Sequence, residues 1–256
     1  MASRIALVRR PSDRLAEGLV THIPRRPVDL ALARRQHDAY VRALAGSGWT
    51  VREVPPADDC PDSVFVEDTV MVCGPLAVLA RPGAPQRRPE VAGTGRVVRE
   101  LGLRVARIEA PGTLDGGDVL RVGDTVYVGR GARTNDDGVA QLRALLAGEG
   151  FRVVAVPLGR VLHLKSAVTA LPDGSLLTWP GLVDAAALPT VRVAAEPQGC
   201  HVVPLGDDRV MIAASAPGTA TLLIRLGYRP VLVDISEFEK LEGGVTCLSV
   251  LVNAPA

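Results

Sequence analysis

The acidic residues of the chain include two short clusters that flank apolar stretches. Glu67 and Asp68 follow the apolar residues 64–66, and Asp115 and Asp118 enclose two glycines directly before another apolar run. Glycines at such a place let the backbone approach a neighbouring group or a ligand closely. A single aspartate in this context is usually a turn or cap residue. Two clusters at equivalent places instead favour a shared pocket for a cation or a planar guanidinium.

A histidine and a cysteine could supply the groups that nucleophilic catalysis needs. His163 lies between two leucines, and Cys247 follows a Gly-Gly loop at the start of the last predicted strand. An exposed thiol in such a loop is a nucleophile when a nearby cation lowers its pKa, and a histidine within reach carries the proton. Considered alone, each residue is more commonly structural, and we expect His22, His37 and His201 to be structural.

The polar landmarks recur at a regular interval. Asp68, Asp115 and His163 are separated by 47 and 48 residues, and Cys247 lies 84 residues further on, close to two shorter units. Each landmark lies beside a predicted β-hairpin. A period in this range indicates a repeat architecture, in which each hairpin-plus-helix unit contributes one residue to a common centre.

Strand and helix patterns alternate between these landmarks. Apolar residues at helical spacing predict a helix over residues 30–44, and another helix is predicted over residues 134–146. Turn signals at Gly74-Pro75 and Gly123-Asp124 predict two hairpins. The helical pattern over residues 90–102 is weaker, because glycines interrupt it. No linker or low-complexity tract divides the sequence, so we expect a single domain over residues 1–256.

Composition and charge exclude several classes of protein. Charged residues make up 22% of the chain and sum to a net charge of +1, with no basic stripe that would predict binding to nucleic acid or to a membrane. No apolar run is long enough to span a bilayer, and the N-terminal run is too short for a secretory signal, which predicts a cytoplasmic protein. The four cysteines lack zinc spacing and paired motifs, so we expect free thiols and no metal site.

Six motifs in order along the chain resemble those of the dimethylarginine dimethylaminohydrolases, which belong to a wider superfamily of guanidine-modifying enzymes. The motifs are residues 61–68 (PDSVFVED), 81–88 (RPGAPQRR), 113–118 (TLDGGD), 132–135 (ARTN), 162–166 (LHLKS) and 243–247 (GGVTC). Six motifs in the family's order, at similar spacing, are a far more specific signal than any one of them.

The resemblance implies the pentein-type α/β propeller, in which five ββαβ-like units surround a central active-site channel. It also implies that Cys247 is the nucleophile, that His163 is the general acid and base, and that Asp115 holds His163 and contacts the guanidinium. The substrate-binding residues that it implies are Asp68 at the guanidinium, Glu67, Asp62 and Ser166 as further substrate contacts, Arg87 and Arg133 at the amino-acid carboxylate, and the carbonyls of Leu19 and Leu241 at the α-amine.

The implied reaction is hydrolysis of Nω-methylated arginine to citrulline and a methylamine, through a covalent thiouronium on the cysteine. It needs no metal or organic cofactor. The expected partner is the small-molecule substrate, and the expected assembly is a monomer or a homodimer.

Two other functions fit the same scaffold. The first is a deiminase of free arginine or agmatine. Arginine deiminases resemble larger proteins with a helical insertion for which 256 residues leave no room, and an agmatine enzyme would not need two carboxylate-binding arginines. The second is a non-catalytic arginine-binding module, which would be expected to lack Cys247 or His163.

Three positions depart from the family pattern. Glu242 stands where members often have aspartate, Gly199 where asparagine is usual, and Leu248 where some relatives have a second cysteine. None of these changes removes a reacting group, but the first two could alter the pocket wall or the substrate preference.

Overall fold

The computed structural model describes residues 3–183 and 188–254. Within these ranges the chain forms five α-helices and fifteen strands. The helices are α1 (Leu30–Gly46), α2 (Val91–Glu100), α3 (Asp136–Ala147), α4 (Pro217–Arg225) and α5 (Ser236–Glu239). The strands are β1 (Ser3–Val8), β2 (Thr50–Glu53), β3 (Val70–Cys73), β4 (Leu76–Leu79), β5 (Arg104–Arg107), β6 (Val119–Val122), β7 (Thr125–Arg130), β8 (Arg152–Pro157), β9 (Val168–Ala170), β10 (Leu176–Thr178), β11 (Val191–Val193), β12 (Val202–Gly206), β13 (Arg209–Ala213), β14 (Arg229–Val233) and β15 (Val250–Ala254).

The strands form five three-stranded sheets that share one plan. In each sheet the middle strand pairs antiparallel with one neighbour and parallel with the other. The sheets are β3-β4-β5, β6-β7-β8, β9-β10-β11, β12-β13-β14 and β15-β1-β2. The last sheet joins the two ends of the chain, because β15 pairs antiparallel with β1. Helices α1 to α4 each connect the middle strand of a sheet to its parallel neighbour, which gives the predicted ββαβ unit.

The five units are arranged around an axis. Residues of β3, β6, β9, β12 and β15, one strand from each sheet, line a common cavity. The repeat that the landmark spacing predicts is therefore confirmed, and the fold is the pentein-type α/β propeller. None of the described helices is both long and apolar enough to cross a bilayer.

Helices α1 and α2 show how local sequence produces the units. Asp29 begins α1 by accepting a hydrogen bond from the Leu32 N–H at 2.9 Å, which satisfies a free amide of the first turn. In α2, a Cβ added at Gly95 would lie 3.0 Å from a methyl carbon of Leu79 in β4. The glycine that weakens the helical pattern therefore allows α2 to pack closely on its sheet.

The sequence pattern did not predict β5, β11, β12 or α4. Strands β5 and β11 lie at the outer edge of their sheets and carry arginines among short apolar residues, so neither gives a clear alternation. Strand β12 contains Pro204, and a proline argues against a strand in the middle of a sheet. The proline is tolerated here because β12 lies at the edge of its sheet.

The start of α3 provides a test of the fold. The side-chain oxygen of Asn135 accepts hydrogen bonds from the N–H groups of Gly138 (2.9 Å) and Thr113 (2.8 Å), so it caps α3 and fixes the chain just before Asp115. We expect Asn135→Ala to lower the free energy of unfolding by about 1–2 kcal/mol, the usual effect of losing such a cap. Urea denaturation followed by circular dichroism measures the change. Asn135→Asp is the control, because it keeps the acceptor and loses only the bond from Nδ2 to the Pro111 carbonyl at 3.1 Å. An equal loss in both variants would contradict the capping role.

Candidate active site

The four residues with predicted chemistry each lie just ahead of a strand that lines the axis. Asp68 lies in a 3-10 turn before β3, Asp115 precedes the turn before β6, and His163 precedes the turn before β9. Cys247 lies in the turn before β15. Because these strands surround one axis, short turns that are distant in sequence meet at one end of it.

A narrow cavity at this end brings together most of the predicted site residues. Its lining includes eight of them: Leu19, Asp62, Asp68, Arg87, Arg133, His163, Leu241 and Cys247. Phe65, Leu162, Glu242 and Gly243 complete the wall. The cavity has a volume of about 20 Å³, which is room for about one water molecule.

His163 is buried and held between two carboxylates. Its Nε2 lies 3.0 Å from Oδ2 of Asp115, and its Nδ1 lies 3.8 Å from Oδ1 of Asp68. Burial opposes the charged imidazolium, but Asp68 and Asp115, with a smaller effect from Asp118, raise the pKa of His163 to about 9. The imidazole is therefore protonated at neutral pH and can donate a proton to a leaving group.

Glycine is required where the two acidic turns meet. The Gly117 N–H donates to Oδ1 of Asp68 at 2.9 Å. A Cβ added at Gly117 would lie 2.7 Å from that oxygen and 2.7 Å from Nδ1 of His163. The close backbone approach predicted for the Gly-Gly sequence is confirmed, and it brings the two turns within hydrogen-bond distance.

Arg87 is buried among oxygen atoms. Its Nη1 donates to Asp68 at 2.6 Å, and its Nε and Nη2 donate to the carboxylate of Glu90 at 2.9 and 2.8 Å. Its Nη2 also lies 3.2 Å from the carbonyls of Asp62 and Phe65. Burial opposes ionisation of Asp68, but His163 and Arg87 outweigh it and hold the pKa of that carboxyl well below its usual range.

Arg133 faces the same cavity with fewer partners. Its Nη1 donates to Asp115 at 3.3 Å, the one hydrogen bond of its guanidinium within residues 3–183 and 188–254. Arg133 therefore keeps donors that a ligand carboxylate could use, whereas those of Arg87 are largely occupied by protein groups.

The Cys247 thiol is protonated in this environment. Its sulfur accepts a hydrogen bond from the Gly244 N–H at 3.3 Å and lies 3.9 Å from the hydroxyl of Thr246. Burial raises the pKa of Cys247 to about 12, and the negative charges of Glu67 and Asp68 add to this effect. A cation bound in the cavity would have the opposite effect and favour the thiolate.

Glu67 and Ser166 lie beside the cavity and not on its wall. Oε1 of Glu67 pairs with Lys165 at 2.5 Å. Glu67 and Lys165 both line the cavity along the propeller axis, which the five inner strands enclose. Oε2 of Glu67 has no hydrogen-bond partner among the described residues. The Ser166 carbonyl lies 3.0 Å from Nε2 of His201, and Ser166 lines a neighbouring cavity.

Asp118 lies in one of the six motifs, and only the fold reveals its role. Asp118 is fully buried, accepts a hydrogen bond from the Thr134 hydroxyl at 2.6 Å and another from the Leu164 N–H at 2.9 Å. The Asp115 N–H in turn donates to the Thr134 hydroxyl at 3.2 Å. Asp118 therefore links the segments that carry Asp115 and His163. Burial raises its pKa to about 6, against the effect of His163.

Three groups of the site have an arrangement that could also hold a metal ion. Asp68, Asp115 and His163 each offer one ligand atom, and these atoms lie within 4.8 Å of one another. A protonated imidazole has no lone pair for a metal. The same carboxylates suit an organic cation, which needs no free imidazole nitrogen.

Comparison with known proteins identifies the family. A family model described as arginine deiminase matches residues 47–215. The N(G),N(G)-dimethylarginine dimethylaminohydrolase of Streptomyces coelicolor is 61% identical over 251 residues, which cover 98% of this chain and 97% of the relative. Two solved structures of dimethylarginine dimethylaminohydrolase, each 36% identical, match with a TM-score of 0.91 over 98% of this chain and 100% of theirs.

The two solved structures carry ligands. One, from Pseudomonas aeruginosa, is a cysteine-to-serine variant complexed with citrulline. The other is a histidine-to-glycine variant in an adduct with S-methyl-L-thiocitrulline. The similarity in sequence and in fold covers almost the whole of each chain. The chain therefore belongs to the dimethylarginine dimethylaminohydrolase family.

Proposed function

We propose that this protein hydrolyses Nω-methylated arginine to citrulline and a methylamine, with Cys247 as the nucleophile. The observation that carries the proposal is a single cavity that holds a thiol, a protonated imidazole and the Asp68 carboxylate. This set suits attack on the carbon of a cationic guanidinium. The name of the 61%-identical relative describes the same chemistry.

In the proposed complex, Asp68 binds the guanidinium and Asp115 keeps His163 in place. A carboxylate binds a guanidinium by charge-assisted hydrogen bonds in one plane, which leaves both faces of the carbon open to a nucleophile. Asp68 is ionised without substrate, so it requires no proton loss before binding. Glu67, paired with Lys165, lies behind the substrate on the side of the propeller axis. Ser166 lies on the wall of the neighbouring cavity that also contains His201.

The amino-acid end of the substrate would bind at the other side of the cavity. Arg133 would receive the α-carboxylate through its free donors, and Arg87 would contribute less, because Asp68 and Glu90 occupy most of its N–H groups. The carbonyls of Leu19 and Leu241, with Asp62 beside them, would receive the α-ammonium.

The first half of the reaction breaks the bond between carbon and the methylated nitrogen. The bound guanidinium lowers the pKa of Cys247, and the thiol releases its proton to water. The thiolate then attacks the guanidinium carbon to give a neutral tetrahedral intermediate. His163 then donates its proton to the methylated nitrogen, which leaves as the amine. A cationic thiouronium remains on Cys247, and His163 is neutral.

The second half uses His163 as a base. The neutral imidazole takes a proton from water while the water oxygen attacks the thiouronium carbon. The carbon–sulfur bond then breaks, the hydroxyl proton of the intermediate passes to the departing sulfur, and citrulline is released. His163 is again protonated, and Cys247 is ready for the next substrate.

We also propose that the reaction takes place in the cytoplasm. All four cysteines are free, and three of them, Cys60, Cys73 and Cys200, are buried. A thiol nucleophile persists most readily in a reducing compartment.

A product assay tests the proposed reaction. With asymmetric dimethylarginine we expect citrulline and dimethylamine in equal amounts, measured by colorimetry and by mass spectrometry.

Agmatine tests recognition of the amino-acid end of the substrate. It lacks the α-carboxylate, and a hydrogen bond to a charged group contributes about 1.5–3 kcal/mol. The kcat/KM for agmatine should therefore be about 10- to 100-fold lower than that for asymmetric dimethylarginine. Ammonia from unmethylated arginine as the main reaction, or equal efficiency with agmatine, would instead indicate a deiminase.

Replacement of the thiol tests the nucleophile. We expect Cys247→Ser to lower kcat by more than about 10³-fold, as removal of a catalytic nucleophile does, because the hydroxyl is a much weaker nucleophile at neutral pH. Cys60→Ser is the matched control, since Cys60 is a buried thiol that lies 3.7 Å from the Gln86 carbonyl and outside the cavity. Activity of Cys247→Ser within tenfold of the unmodified protein would rule out this assignment.

A further inference from the structure

Glu242 makes two hydrogen bonds to a surface segment on the far side of the cavity. Its Oε2 accepts from the Thr21 N–H at 2.6 Å, and its Oε1 accepts from the His22 N–H at 2.7 Å. Both donors belong to exposed residues. One carboxylate therefore binds two successive backbone amides that are more than 200 residues away in sequence.

The backbone of Glu242 is also unusual. Its φ of 63° lies in the left-handed region, which a residue with a side chain adopts at a cost in free energy. Such a conformation persists where the surrounding contacts require it. Here it occurs between the buried Leu241 and Gly243, and all three residues line the cavity.

The segment that Glu242 holds, residues 18–22, is fixed at two other points. The Leu19 N–H donates to both carboxylate oxygens of Asp62, at 3.0 and 3.2 Å. The guanidinium of Arg25 donates to the carbonyls of Ala16 (3.1 Å) and Gly18 (2.6 Å). Among the described hydrogen bonds of residues 18–22, only those to the Glu242 carboxylate join this segment to the turn ahead of Cys247.

We propose that Glu242 is a positioning residue that fixes the distance between the carbonyls of Leu19 and Leu241, and so controls recognition of the substrate's α-ammonium. Glu242 directly follows Leu241, and its two amide partners lie two and three residues after Leu19. A charge-assisted bond to each amide therefore holds both carbonyl-bearing segments at one separation. The ligand assigned to these carbonyls rests on the proposed function, whereas the hydrogen bonds do not.

The cavity has room for about one water molecule, so part of its wall must move when an amino-acid substrate enters. In the proposed complex, the bonds to Glu242 hold the two carbonyl-bearing segments at the separation that binding of the α-ammonium requires. Glu242 has a longer side chain than the aspartate often found at this position in the family, and its carboxylate reaches both amides.

The first test measures amide hydrogen exchange by NMR in the resting protein. In Glu242→Gly we expect exchange at Thr21 and His22 to become at least about tenfold faster, because both acceptors are lost. Glycine suits the left-handed backbone, so the urea midpoint should not fall. Glu239→Gln is the matched control, since Glu239 carries the same charge nearby and bonds to Ser215 instead. Unchanged exchange at both amides would overturn the proposal whether or not the protein turns over methylarginine.

The second test separates positioning from a general loss of structure. For dimethylarginine we expect Glu242→Gly to raise KM by about tenfold while kcat stays within about twofold, since the lost alignment concerns binding of the amino-acid end. For the analogue without the α-amino group, 5-(N′,N′-dimethylguanidino)pentanoate, kcat/KM should change less than twofold. A fall in kcat at constant KM, or equal losses for both substrates, would overturn the role in α-ammonium recognition.

Discussion

Several carboxylates are buried around one end of the axis, and the rest of the site depends on how their charges are balanced. Asp68, Asp115, Asp118 and Glu67 are all nearly inaccessible to solvent. An unpaired charge in such a place is costly, so each carboxylate needs a cation or hydrogen-bond donors. Arg87 and the Gly117 N–H satisfy Asp68, His163 and Arg133 satisfy Asp115, and Lys165 pairs with Glu67.

The same balance determines the chemistry. The carboxylates keep His163 protonated, as its proposed role as an acid in the first half of the reaction requires. Burial and these charges together keep the Cys247 thiol neutral, since a third negative charge beside Glu67 and Asp68 is unfavourable. In the proposed mechanism, a guanidinium substrate brings the missing positive charge, so that binding and activation of the nucleophile are a single event. A neutral ligand of the same shape would occupy the cavity without activating the thiol.

Much of this arrangement could be predicted from the sequence, because it is encoded in spacing. The intervals between Asp68, Asp115 and His163 correspond to successive units of the propeller, and the Gly-Gly sequence beside Asp115 indicated the close approach seen at Gly117. The family resemblance supplied the roles.

The pairing partners could not be predicted in the same way. Lys165 pairs with Glu67 from 98 residues away, and only the closed propeller brings them together. Glu90 lies three residues after Arg87, but a 3-10 turn was not expected there. The outer strands β5 and β11 were missed, because arginines at a sheet edge conceal their alternation.

In the proposed mechanism the resting thiol is neutral, and the charge of the substrate activates it. The most direct measurement is the rate at which a neutral electrophile, 2-chloroacetamide, alkylates Cys247 in the substrate-free protein, with Cys247→Ser as the background for the other three cysteines. Only the thiolate reacts, so a thiol whose pKa is raised to about 12 should react about tenfold faster for each pH unit up to about pH 10, without a plateau. A plateau below about pH 8 would mean that Cys247 is a thiolate at rest, and would contradict activation by the substrate.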